Sequence, residues 1–178
     1  MTTGRVEMTA EVTVASSPVR HASFPPVVDA ATRVLILGSL PGAKSLAEQR
    51  YYAHPQNAFW RLTGGATGMD LAALDYPARL AALLAAGVGL WDVIATARRE
   101  GSLDTAIRDV EGNDLAALAA SLPALRLVAF NGRAAAAIGG PRLGPAIPRL
   151  TLPSSSPAYT LNFAAKAAAW RVLGEYLG

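Results

Sequence analysis

The chain has 178 residues, a length that suits one compact domain rather than two. Hydrophobic residues make up 52% and charged residues 16%, which excludes global disorder and allows a sizeable buried core. There is no cysteine, the only histidines are His21 and His54, and the net charge is +3; disulfides, thiolate-held clusters, cysteine nucleophiles and multi-histidine metal centres are excluded, and a polyanionic partner is compatible but not required.

No apolar run is long enough to cross a bilayer, and the N-terminus lacks the apolar core of a secretory signal. A soluble, cytoplasmic protein without a membrane partner is expected. Residues 1–22 are polar and mixed and read as a flexible extension, so a single domain is expected over 23–178. Pro25 and Pro26 stiffen the entry to it.

Arg33 to Gly38 (RVLILG) is a short apolar run without polar alternation, the pattern of a strand buried on both faces. A loop is expected from Ser39 to Gln56. Asn57 opens a helix to Leu62, and a second helix spans Pro77 to Ala86, with Pro in its first turn and Gly87 after it. Val88 to Ile94 predicts a second strand. Asp114 to Leu122 predicts a short helix stopped before Pro123, and Leu125 to Phe130 a third strand closed by Asn131-Gly132. A helix over 133–138 follows, then a short fourth strand, Arg149 to Leu152. The terminal helix, Leu161 to Leu177, carries Phe163, Trp170, Leu173 and Leu177 at helical spacing.

Strands alternating with helices predict an α/β chain: a three-layer α/β/α sandwich around a mostly parallel four-stranded sheet. Ligands of such sheets gather at the carboxyl ends of the strands, so the loops after Gly38 and Leu152 should open on one edge.

The loop after the first strand, Gly38-Ser39-Leu40-Pro41-Gly42-Ala43-Lys44-Ser45, invites comparison with a phosphate-binding P-loop. Ala43 stands where that loop needs glycine for close backbone approach to phosphate, which argues against a nucleotide-binding protein. Asp92, after Trp91 at the edge of the second strand, reads as a structural hydrogen-bonding residue or a general base. Asn131-Gly132 reads as a turn.

Three blocks occur in order: Gly38 to Gly42 (GSLPG), Tyr51 to Trp60 (YYAHPQNAFW) and Leu152 to Ala158 (LPSSSPA). Together they resemble the uracil-DNA glycosylase superfamily, most closely its hypoxanthine-DNA (deoxyinosine) glycosylase branch, over about residues 24–176. The resemblance implies a monofunctional DNA glycosylase of base excision repair. It would hydrolyse the N-glycosidic bond of a deaminated base, hypoxanthine first and uracil or xanthine as alternatives, after flipping the nucleotide out of the duplex. A non-catalytic module that binds damaged DNA is the alternative from another class. DNA containing deaminated bases is the implied partner, a monomer is expected, and neither metal nor cofactor is.

In the mismatch-specific uracil glycosylases of that superfamily the catalytic Asn lies in the first block, where this chain has Leu40; a leucine can neither orient nor polarise water. The resemblance then implies Asn57 as the catalytic residue. Asn57 is also a natural helix N-cap, and the two roles are compatible. Because an electron-poor base leaves as an anion, a neutral amide need only place and weakly polarise the water. Tyr52 aligns with an aromatic that stacks on the flipped base. Ser39 and Leu40 would present backbone N–H groups to it, and His54 and Ser154 would face it. Ser155, Ser156 and Lys44 would contact the DNA backbone. No lysine stands in a matched catalytic position, so strand cleavage through a Schiff base is not implied.

Overall fold

The computed structural model describes residues 19–178. Four parallel strands form its centre: β2 (Val34–Gly38), β3 (Val88–Asp92), β6 (Leu127–Asn131) and β7 (Arg149–Leu152), in the spatial order β3-β2-β6-β7. Every residue of β2 is buried. Its side chains alternate between two cores, as the period of a strand requires. Val34 and Ile36 pack with Leu90, Ala129, Phe59 and Trp170 on one face, whereas Leu35 and Leu37 pack with Val128, Phe130, Ile94 and Leu115 on the other. Burying each of these aliphatic side chains stabilises the fold by about 2 kcal/mol.

The helices divide between these faces. Buried residues of α2 (Phe59–Thr67), α3 (Tyr76–Ala85) and α6 (Phe163–Trp170) join the first core, and those of α4 (Leu115–Ala120) and α5 (Arg133–Gly139) join the second. The three-layer α/β/α architecture with a four-stranded parallel sheet is therefore the observed one. Local chemistry sets the helix starts. The Asp75, Asp114 and Asn162 side chains accept from Ala78, Ala117 and Ala165 N–H groups, caps worth about 1 kcal/mol each.

Four expectations are corrected. The expected loop 39–56 contains a short helix, α1 (Ala43–Glu48). The expected strand Val88 to Ile94 is two strands: β3 stops at Asp92 and β4 (Ile94–Arg98) leaves in a second sheet. Val93 and Ile94 N–H groups donate to the Gly38 and Ser39 carbonyls, carrying the chain across the end of β2. That second sheet is antiparallel, in the order β1-β4-β5, with β1 (Arg20–Ala22) and β5 (Arg108–Gly112). Arg20–Ala22 lies inside the segment expected as a flexible extension. It is held by ladder pairing with β4 and by an ion pair from Arg20 to Glu111 at 2.8 Å; residues 1–18 lie outside the described residues. Finally, the terminal helix tightens after Trp170 into a 3-10 helix, Arg171–Tyr176. Phe163, expected on its apolar face, is exposed and covered by the Arg61 guanidinium, 3.9 Å from its ring centroid.

Among the described residues, no helix is long and apolar enough to cross a membrane.

Candidate active site

The carboxyl ends of β2, β3 and β6 open into one cleft of about 740 Å³, within the range of small-molecule and base-sized pockets. All nine residues singled out from the sequence line it: Ser39, Leu40 and Lys44 after β2, then Tyr52, His54 and Asn57, then Ser154, Ser155 and Ser156. Asp92, Asn131 and residues 102–105 complete the wall.

The block before α2 is held tightly. The Asn57 Oδ1 accepts the Phe59 N–H at 3.0 Å, and the Asn57 N–H donates to the His54 carbonyl at 3.0 Å. Ala58, not Asn57 as expected, is the N-cap of α2; Asn57, one residue earlier, bonds a free N–H of the helix's first turn, and that bond fixes which end of the carboxamide is oxygen. Its Nδ2 has no hydrogen-bond partner among the described residues. His54 Nδ1 accepts the Gln56 N–H at 3.1 Å, so the neutral ring carries its proton on Nε2 and presents a donor there.

Tyr52 has a φ of 51°, a left-handed conformation that is costly for a bulky residue and persists only where surroundings enforce it. Here they do. Its ring stacks on Phe59 with centroids 3.8 Å apart and planes 8° from parallel, and its carbonyl accepts the Trp60 indole N–H at 3.1 Å. Burial, and secondarily the Asp92 charge, push the Tyr52 phenol upward, so it is a neutral hydroxyl at physiological pH.

Asn131 ties the Tyr52 segment to the serine segment. Its Nδ2 donates to the Tyr52 hydroxyl at 3.2 Å and to the Ser155 Oγ at 2.8 Å, and its Oδ1 accepts the Ser155 N–H at 2.9 Å. The sequence reading treated Asn131 as a turn residue. Its position at the carboxyl end of a buried strand was the signal that could have found it. Gly132, at a φ of 98°, follows directly; a Cβ there would lie 3.1 Å from Ser154 Cβ.

The serine segment differs from expectation at one position. Ser155, expected at the DNA backbone, is 1% exposed and its hydroxyl and N–H are both engaged by Asn131. Both groups are thus taken up by Asn131 rather than free for a phosphate. Ser154 Oγ accepts the Ser156 N–H at 3.1 Å, and Ser156 Oγ accepts the Ala158 N–H at 3.2 Å. Ser156 is less buried and keeps a hydroxyl proton to donate. The buried Lys166 Nζ donates to the Ser156 carbonyl at 3.0 Å, and desolvation lowers its pKa.

The loop after β2 is braced by residues 99–104, which the sequence reading left without roles. Ser39 Oγ donates to Asp104 Oδ1 at 2.7 Å, Ser102 Oγ accepts the Ala43 N–H at 2.9 Å, and the buried Arg99 guanidinium donates to the Pro41 and Gly101 carbonyls. Leu40 is buried and packs into the second core. Lys44, at the rim, pairs with Glu48 at 2.8 Å. This exposed ion pair takes up the cation that a P-loop would aim at phosphate.

Asp92 ends β3 beside Gly38, its register partner on β2. It is 4% exposed, and no donor reaches its Oδ2 among the described residues. Burial, reinforced by the negative charge of Asp104 and opposed by Arg99, pushes this carboxyl up to about 7.

Comparisons with known proteins agree with this architecture. Residues 25–174 match the family model described as the uracil DNA glycosylase superfamily. A hypoxanthine DNA glycosylase of Methanosarcina barkeri is 50% identical over 110 residues, covering 62% of this chain and 70% of that protein. One from Methanosarcina acetivorans is 45% identical over 135 residues, covering 76% and 85%. The solution NMR structure of a candidate uracil DNA glycosylase from Methanosarcina acetivorans superposes with a TM-score of 0.81 at 40% identity, over 89% of this chain and 99% of that one. The chain belongs to the uracil DNA glycosylase superfamily.

Proposed function

We propose that this DNA glycosylase removes hypoxanthine from DNA, hydrolysing the bond between base and deoxyribose and leaving an abasic site uncut. One observation carries the assignment of the site. The Ala58 N–H, next to Asn57, donates to the Ser155 carbonyl at 3.0 Å, so the block bearing the carboxamide and the serine segment form one wall of a single cleft. The two Methanosarcina relatives, both named hypoxanthine DNA glycosylases, support the choice of base.

The residues suit a dissociative hydrolysis. A nucleotide flipped from the duplex places its base in the cleft against Tyr52, whose ring is backed by Phe59; such stacking is worth about 1–3 kcal/mol per base. As the C1′–N9 bond lengthens, the sugar becomes cation-like and the base takes the electron pair. Asn57 holds the attacking water with the remaining lone pair of Oδ1 and its Nδ2–H, and a neutral amide suffices because the sugar is already electrophilic. His54 Nε2–H and the Ser154 region face the departing base, and Ser156 and the rim contact phosphates. The protein acts as a monomer without metal or cofactor.

The test is direct. Purified protein is incubated with oligonucleotides carrying inosine, xanthine or uracil, and abasic sites are scored by alkaline cleavage. Alkali-dependent breaks at inosine support the proposal. Tight binding to inosine DNA without base release would favour the damage-binding module instead, and breaks without alkali would refute the monofunctional mechanism.

A further inference from the structure

The cleft contains a carboxyl group that the mechanism above leaves unused. Asp92 lines it, is 4% exposed, and leaves Oδ2 without a hydrogen-bond partner. Unsatisfied buried carboxylates are costly and rare, so one at the wall of a reactive cleft calls for a ligand or a proton. The backbone is shaped around it. A Cβ added at Gly38 would lie 2.6 Å from Asp92 Oδ1 and 2.9 Å from the Tyr52 hydroxyl. Any larger residue there would have to displace this carboxyl and this phenol.

We propose that Asp92 is the acid that delivers a proton to a ring nitrogen of the departing purine. The proposal rests on the glycosylase reading and extends it. In the step, the C1′–N9 bond breaks and its electron pair stays with the purine. The Asp92 O–H proton passes to a ring nitrogen, so the base leaves neutral. Water adds its oxygen to C1′, and the proton that water loses restores the carboxyl through solvent. No oxidant or further reactant is needed.

The surroundings keep this group protonated near neutrality. From the loop after α1 it is faced by the Tyr51 and Tyr52 phenols, both neutral and both pushed upward by burial. From the connection after β4 it feels Asp104, which raises it, and Arg99, which lowers it. Arg99 directs its bonds to the Pro41 and Gly101 carbonyls and makes no ion pair with Asp92. His54 shares the cleft. Bound DNA adds negative charge and removes water, and both push the carboxyl further towards its protonated form. A carboxyl lifted to about 7 matches the demand on a general acid working at neutral pH.

Single-turnover release of hypoxanthine from inosine DNA is measured from about pH 5 to about pH 9 in wild type and Asp92→Asn, with gel-shift affinity for the same DNA. The expected wild-type rate is level at low pH and falls about tenfold per pH unit above the titration of the acid. Asp92→Asn is expected to bind DNA normally, to be slower by about 100-fold or more, and to lose that fall. A variant within about threefold of wild type, or one that keeps the same descending limb, overturns the proposal. The wild-type profile alone is a second test if the variant does not fold: a rate that stays level to the alkaline end also overturns it. Absence of any wild-type release would instead remove the glycosylase reading, and this inference with it.

Discussion

The Asn131 carboxamide donates to the Tyr52 hydroxyl across 3.2 Å, and the same nitrogen reaches Ser155 at 2.8 Å. One side chain at the end of a buried strand therefore registers an aromatic in left-handed backbone against the serine segment beside it. Both outer partners belong to blocks picked out from the sequence; the residue between them does not.

Replacing Asn131 with Ala strands the Ser155 N–H in a nearly inaccessible position and frees the Tyr52 ring. The expected cost is about 1–3 kcal/mol in urea denaturation, together with a loss of hypoxanthine release that exceeds what the remaining folded fraction explains. A variant as stable as the parent would mean that water replaces the missing bonds.

Asn57→Ala removes both the group proposed to hold water and the acceptor for the Phe59 N–H. Release from inosine DNA should fall by about 10²–10³, while stability falls by only about 1 kcal/mol. Asn57→Asp keeps the acceptor and should restore the stability, separating the bond to the Phe59 N–H from the chemistry. Activity near the parental level in the alanine variant would remove Asn57 from the mechanism.

Gly38→Ala places a methyl group against the Asp92 carboxyl and the Tyr52 hydroxyl. Overpacking of this kind costs about 1–3 kcal/mol, and the displaced groups are those at the floor of the cleft. Thermal unfolding should shift downward by several degrees, on the order of 4 °C per kcal/mol or less for a domain of this size, and catalysis should drop more steeply than stability. Unchanged melting and activity would show that the floor yields easily.

The pH dependence of stability follows from Asp92. Burial pushes its carboxyl up to about 7 in the fold, from an ordinary value near 3.8. Below both values the group is protonated folded and unfolded and has no effect. Between them only the unfolded chain ionises, so stability declines as pH rises; above about 7 the penalty is constant. Its ceiling is about 4 kcal/mol. Asp92→Asn should therefore be the more stable protein at pH 8 and converge with the parent near pH 4 in urea titrations. A variant less stable at pH 8 would mean that Asp92 is paired in solution.

The centre of the parallel sheet was legible because β2 and β6 are apolar runs closed by Gly38 and Asn131, and the short, mixed β7 was placed by the Pro153 that ends it. The antiparallel sheet was not. All five residues of β5 are exposed and β1 is three residues long, so neither carries a burial pattern. Both owe their form to pairing with β4, which is tertiary information. In the cleft, the polar residues of the motif blocks were readable by type, but their orientation was not. Ser155 and Ser156 are adjacent and identical in composition, yet one faces Asn131 and the other the outside. Asp92 and Asn131 sit at strand ends where binding residues gather, and only the folded sheet shows that these ends converge.

All three tryptophans use their indole N–H to grip a backbone carbonyl: Trp60 that of Tyr52, Trp170 that of Pro153 and Trp91 that of Phe24. The first two carbonyls belong to the two segments that the Ala58–Ser155 hydrogen bond joins into one wall of the cleft. The chain thus carries its own optical reporter. A nucleotide that seats against this wall and shifts either carbonyl is expected to change indole emission, which can be followed without an added label.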